Sequence, residues 1–174
     1  MASTPRSVTY RYVDSPVGEL LVAATEWGVV YLAFACEDSA KVLARLNGKI
    51  GPVSKGTSPG LTLAVTQLAE YFAGARRTFS VPIDESLTSG FRQRVQRLLS
   101  DIPYGATSTY AQLADAAANP KAVRAVGSAC ARNPVPIIVP CHRVLRSDGS
   151  LGGYRGGVAA KELLLRLENG ALEF

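Results

Sequence analysis

A two-domain α+β fold is predicted by three features of the chain. Its first 35 residues are strand-like, with turns bearing glycine or proline between the strands. The pattern turns helical past residue 87. Two short helical segments then meet at Asn119–Pro120. In the first domain, VTYRYVDS and ELLVAAT flank a Pro16–Val17–Gly18 turn, and VVYLAFA follows Glu26–Trp27–Gly28. These three read as strands. Glu37 to Leu46 has helical spacing, with Gly48 just past its end. GPVSKGTSPG (51–60) reads as a loop, Leu61 to Phe72 as a second amphipathic helix stopped by Gly74, and Arg76 to Ser86 as a strand leading into a linker. The boundaries are set at 1–87 for an N-terminal α/β domain and 88–174 for a mostly helical C-terminal domain.

In the second domain Phe91 to Leu99 is a helix stopped by Pro103 and Gly105. Thr107–Ser108 offers a cap for a helix from Tyr110 to Ala118. Asn119 is a favoured N-cap and Pro120 a favoured first helical residue, so a new helix is expected to start at once and run to about Ala131. Two helices on so tight a turn, the second one basic, have the form of a helix-turn-helix. Its small residues, Ala122, Ala125, Gly127, Ser128 and Ala129, allow close approach by another helix or by a DNA groove. Pro134, Pro136 and Pro140 then forbid a helix. SDGSLGGYRGG follows as a glycine-rich loop, and a last helix covers about Val158 to Leu167.

The chain of 174 residues carries a net charge of +5. Residues 1–87 hold eight Lys/Arg and eight Asp/Glu; residues 88–174 hold eleven and six, so the excess lies in the second half. No acid falls between Asp115 and Asp148, where Lys121, Arg124, Arg132, Arg143 and Arg146 stand. Such a field suits a polyanion, or is simply a solvated basic face. No apolar run approaches the roughly 20 residues of a membrane span. The polar start MASTPRSVTYRY lacks the apolar core of a secretory signal, so the protein is expected in the cytoplasm, nucleoid-associated in a bacterium. Three cysteines and one histidine, without paired spacing, point to reduced thiols and to no metal or cofactor.

Cys141 sits beside that single histidine, His142, in a proline-stiffened, basic segment. A thiolate is the nucleophilic form, and the neighbours His142 and Arg143 are expected to favour it. Residues i and i+1 do not face each other on a helix or strand, so a bridging water is the simplest link between Cys141 and His142. Taken alone, a Cys–His dipeptide is more often structural than catalytic. Cys36 and Cys130 read as small apolar residues.

The segment IPYGATSTYAQLADAAANPKAVRAVGSACARNPVPIIVPCHRV, followed by GSLGGYRGG and a helix running from Lys161 to Glu168, closely resembles the O6-alkylguanine-DNA alkyltransferase family over residues 91–168. Pro140-Cys-His-Arg-Val144 matches the family's active-site motif. The resemblance implies a ribonuclease-H-like N-terminal domain and a winged-helix-like C-terminal domain. The implied activity is irreversible transfer of an alkyl group from O6-alkylguanine in duplex DNA to Cys141, once per molecule, after nucleotide flipping. Whether O4-alkylthymine is also a substrate is left open. The implied partner is alkylated double-stranded DNA, with a monomer in solution and cooperative assembly on DNA as a further option.

Roles follow by position. Cys141 would accept the alkyl group, His142 would take the thiol proton through water, and Glu168 would fix the His142 tautomer. Asn133 would bond the turn before the active-site strand. Tyr110 would press on the backbone at the target nucleotide and donate a proton to the departing guanine. Arg124 would replace the flipped base, while Lys121, Ala122, Val123 and Gly127 would contact DNA. Val144, Tyr154, Arg155 and Gly156 would line the base pocket. Each has a plainer reading as a surface charge, core residue or turn residue. The alternative function is a non-catalytic lesion-binding protein of the alkyltransferase-like type. Such proteins lack the acceptor cysteine, which argues against it here.

Overall fold

The computed structural model describes residues 6–172, and the chain divides into two compact units at Leu87/Thr88. In the first unit, strands β1 (Val8–Val13), β2 (Leu20–Thr25) and β3 (Gly28–Ala33) form an antiparallel meander. β4 (Val53–Lys55) adds to β1 in parallel, giving the order β3-β2-β1-β4. All six residues of β2 and of β3 are buried, so both faces of the sheet's centre are covered. Helix α1 (Ser39–Lys49), capped by the Asp38 carboxylate, packs Val42 and Leu46 with Leu21, Ala23 and Val30. Helix α2 (Pro59–Phe72), with Ser58 as cap and Pro59 in its first turn, packs against β2 and β3.

Two parts of this unit differ from expectation. β4 lies inside the segment read as a loop, because three residues without apolar alternation carry no strand signal. The strand expected over Arg76–Ser86 is reduced to one parallel bridge between Val29 and Ile83. Pro82 has no N–H to extend a ladder. The backbone groups a strand partner would satisfy are bonded instead by buried Gln67, whose Oε1 accepts from the N–H of Ser80 at 2.9 Å and of Val81 at 3.1 Å. Gly28 makes the bridge possible. Its φ is +145°, and a Cβ there would lie 2.3 Å from the Pro82 carbonyl oxygen. Gly28→Ala is therefore expected to lower unfolding stability by about 2–4 kcal/mol in urea titrations; a loss near zero would show that the 82–84 segment moves away freely.

The second unit holds α3 (Gly90–Ser100), α4 (Tyr110–Ala116), α5 (Val123–Ala131) and α6 (Val158–Glu168), with a short parallel pair, β5 (Ser108–Thr109) and β6 (Val144–Leu145). The α4 start is a full capping box of Thr109 and Gln112, one residue beyond the expected cap. Helices α4 and α5 pack on each other, and both pack on α3. The turn between α4 and α5 corrects the sequence reading. Helix α4 stops at Ala116, and Ala118 takes φ +58°. Asn119 does not cap a helix but accepts the Ala122 N–H in a single turn at 2.9 Å, so α5 begins only at Val123. A left-handed alanine costs about 1 kcal/mol, and no glycine marked the reversal. Lys121 and Ala122 thus sit in the turn, not on the helix.

Candidate active site

Asn133, just past α5, is 1% exposed and organises the segment that carries the cysteine. Its Oδ1 accepts from the Val135 N–H at 3.0 Å, and its Nδ2 donates to the Val139 carbonyl at 2.8 Å. The Cys141 N–H also reaches Val139 O, at 2.9 Å. Between them Ile137, fully buried, holds φ +72°. For a β-branched residue this is strain of about 1–3 kcal/mol, sustained by the packed surroundings. Cys141–Arg143 then form one 3-10 turn leading into β6, so the cysteine opens a tight turn rather than lying on a strand.

His142 is fully buried, and its Nε2 lies 2.7 Å from Glu168 Oε1, at the end of α6. Glu168 is also gripped by Arg143, whose Nε and Nη2 each donate to a carboxylate oxygen at 2.9 Å. Arg143 Nη1 donates to Ile102 O at 2.6 Å. Burial alone raises the Glu168 pKa, but hydrogen bonds and charge from His142 and Arg143 outweigh it and hold the group at about 2. The carboxylate is therefore ionised. Burial pushes His142 below its ordinary value despite the carboxylate, so the ring is neutral. A neutral ring that donates Nε2–H to Glu168 leaves Nδ1 with its lone pair, and Nδ1 is buried without a protein partner. That lone pair is able to accept a proton.

Cys141 is 5% exposed. Burial raises its pKa, and a hydrogen bond from Asn133 with the charges of Arg155 and Lys161 offsets this only in part. The resting group is a thiol, so attack requires a base. This corrects the expectation that His142 and Arg143 hold it as thiolate: His142 is neutral and Arg143 is spent on Glu168. Burial, with Cys141 nearby, pushes Cys130 up to about 12. It is inert at neutral pH.

An open cavity of about 530 Å³ lies over Cys141. Tyr110 at the start of α4, then Val123, Arg124, Gly127 and Cys130 on α5, and Tyr154 and Arg155 from the glycine-rich loop all line it. Gly127 has nothing within 4 Å of where a Cβ would stand, so its smallness serves no helix packing and leaves that face of α5 open. Burial raises the Tyr110 pKa, which keeps the phenol a proton donor. The loop approaches Tyr110 closely at Gly152, where a Cβ would meet the phenol oxygen at 3.0 Å. Val144 and Gly156 are not among the lining residues: the Val144 side chain is buried in β6, and Gly156 lies in the turn before α6.

Two further residues hold the site together. Arg143 was expected to act on the thiol but instead holds Glu168, as above. Lys161 was not given a role from the sequence; it is fully buried, and its Nζ donates to Val144 O at 2.6 Å and to the carbonyls of Leu151 and Gly153, 5.9 Å from the Tyr110 ring centroid. The signal was present. Lys161 and Glu168 fall on the same helical stripe as Leu164, at i+3 and i+7, so two charged residues share the apolar face.

Comparison with known proteins gives one answer. Residues 8–85 match the model of the 6-O-methylguanine DNA methyltransferase ribonuclease-like domain, and residues 90–170 that of its DNA binding domain. A constitutive methylated-DNA–protein-cysteine methyltransferase of Bacillus subtilis is 41% identical over 91% of this chain and 94% of its own. The crystal structure of Mycobacterium tuberculosis OGT in complex with DNA is 38% identical, covers 95% of both chains and superposes with a TM-score of 0.80. The O6-methylguanine-DNA methyltransferase of Pyrococcus kodakaraensis, at 26% identity, covers 92% of this chain and 98% of its own with a TM-score of 0.71. The two-domain α+β chain therefore belongs to the 6-O-methylguanine-DNA methyltransferase family.

Proposed function

We propose that this protein repairs duplex DNA by taking the alkyl group from O6-alkylguanine onto Cys141, irreversibly and once per molecule. The observation that carries this is a buried thiol lining the cavity, next in the chain to a neutral histidine whose Nε2 is fixed by an ionised Glu168 and whose Nδ1 has no protein partner. A stacked guanine cannot bring its O6 substituent to a buried sulfur, so the nucleotide leaves the helix at a cost of a few kcal/mol. Arg124, exposed on the groove side of α5, fills the vacated space. Val123 and Gly127 allow close contact with the groove, and Lys121 and Ala122 in the preceding turn meet the backbone.

His142 Nδ1, buried behind the cavity, takes the Cys141 proton through a water. The sulfur attacks the alkyl carbon, an S–C bond forms, and the C–O bond breaks with its electron pair passing to the guanine. Tyr110 supplies the proton that neutralises the departing base. Asn133 positions the cysteine turn, Tyr154 and Arg155 wall the base pocket, and Val144 supports it through its Lys161-bound carbonyl. The product is a thioether with no built-in reversal. The protein acts as a monomer in the cytoplasm, with DNA as its partner. Incubation with a benzylated guanine is expected to leave one benzyl group on Cys141. A protein that binds alkylated DNA but takes no benzyl group points to lesion recognition without transfer.

Arg124→Ala is expected to slow transfer from duplex DNA by about 10–100-fold, and to slow it far less from a free alkylated nucleobase, which needs no flipping. Parallel single-turnover rates on the two substrates test this. Equal slowing on both assigns Arg124 to the chemistry instead.

A further inference from the structure

The cavity over Cys141 is lined by the guanidinium groups of Arg124, Arg146 and Arg155 and by no carboxylate. An alkylated guanine base is neutral, so it gives such groups little reason to gather; the charge of a nucleotide lies on its phosphates. Arg155 donates to the Asn133 carbonyl at 2.6 Å, and the proposed role of Arg124 is to fill the space the base leaves. Arg146 has neither duty. Its backbone is fixed. It follows β6, where Lys161 Nζ donates to the Val144 carbonyl at 2.6 Å. Both of its own backbone groups are used in a tight turn: its N–H donates to Ser150 O at 3.0 Å, and its carbonyl accepts from the Gly149 N–H at 2.9 Å. Its side chain is exposed, and among the described residues its guanidinium makes no hydrogen bond or ion pair. Asp148, two residues on, instead accepts from the Ser150 N–H at 2.9 Å and from its hydroxyl at 2.6 Å. The Arg146 charge also reaches the Tyr110 phenol, which places it on the Tyr110 side of the cavity mouth.

We propose that Arg146 is a positioning residue for the extruded nucleotide: its guanidinium grips a phosphate flanking the target at the cavity mouth and so holds the base over Cys141. The proposal rests on the alkyl-transfer reading of the site and deepens it. With the base down in the cavity, the two flanking phosphates stay at the mouth, joined to the duplex. The planar fork of an arginine meets a phosphate through two parallel N–H···O bonds. This contact forms only once the nucleotide has left the helix. It therefore offsets part of the cost of unstacking and adds little to the binding of undamaged duplex.

The test measures single-turnover transfer rates for the parent, Arg146→Gln and Arg146→Lys. The substrates are a duplex bearing O6-methylguanine, the same duplex with a neutral methylphosphonate replacing the phosphate on the 5′ or the 3′ side of the target, and free O6-benzylguanine. Arg146→Gln is expected to slow transfer from the duplex about tenfold and from the free base by no more than about twofold, while Arg146→Lys stays within about threefold of the parent. One of the two methylphosphonates is expected to slow the parent by a similar factor. It is expected to slow Arg146→Gln by no more than about twofold further, because the contact is already gone. Affinity for undamaged duplex, read by gel shift, is expected to stay within about twofold in Arg146→Gln. Losses that multiply at both phosphate positions overturn the clamp, as does an Arg146→Gln that is not slowed on the duplex. Equal slowing on the free base overturns it too, and places Arg146 in the chemistry or in the fold instead. A tenfold loss of affinity for undamaged duplex makes Arg146 a general backbone contact. If the parent transfers no alkyl group from any of these substrates, the alkyl-transfer reading itself falls; if it transfers at a rate indifferent to both methylphosphonates, the clamp alone falls.

Discussion

Cys141→Ala is expected to abolish alkyl transfer completely while DNA binding persists. The loss is total because no other group can take over: Cys130 lines the same cavity, but burial holds it at about 12, so its thiolate is negligible at neutral pH. Binding is expected to survive because the proposed DNA contacts lie on α5, the turn before it and the basic excess of the second unit, none of which involves the sulfur. Removing one buried sulfur leaves a small cavity that costs about 1–2 kcal/mol, too little to unfold the domain. Transfer assays and gel-shift titrations on the same preparation check both halves. Alkylation of Cys141→Ala at the parental rate rules out the site assignment, and loss of binding alongside transfer makes Cys141 a structural residue.

Glu168→Gln is expected to damage both stability and rate. The substitution keeps the shape but removes the charge that Arg143 and His142 share. Arg143 is then a buried cation without its anion, a loss of about 3–5 kcal/mol. His142 loses the partner that fixes its tautomer, and transfer is expected to slow by about 10²–10³-fold. The pH dependence carries its own sign. Glu168 titrates at about 2 in the fold against an ordinary 4.5, so its contribution is complete above pH 4.5 and is lost as pH falls toward 2. His142, shifted down from 6.5 by burial, acts in the same direction, because the unfolded ring binds a proton that the folded one refuses. Urea unfolding across pH is therefore expected to show the parent losing stability on acidification. Its lead over Glu168→Gln is expected to shrink between pH 4.5 and 2. A lead independent of pH would mean that the carboxylate is not ionised in the native protein.

The chemistry of this chain was legible where it depends on local sequence and hidden where it depends on tertiary partners. Cys141, His142, Asn133, Tyr110 and Arg124 stand in a short motif-bearing stretch, and all but His142 and Asn133 reach the cavity directly. The protonation states did not follow from neighbours in sequence. Arg143 adjoins His142 in the chain, yet its charge goes to a carboxylate 25 residues away. Lys161, 20 positions downstream, supplies part of the field at the thiol instead. In the fold, the strands with alternating or continuous apolar runs were readable. β4 was too short to show, and the 76–86 segment was misread because buried Gln67 substitutes for a strand partner. The late start of α5 came from a left-handed alanine that no residue type announces.

The most direct test of the central claim is transfer of a labelled methyl group from an O6-methylguanine duplex in excess, followed by mass spectrometry of the labelled peptide. Saturation at about one methyl group per protein, carried on Cys141, is the predicted result. Binding without transfer, label on another residue, or continued turnover past one equivalent would contradict it.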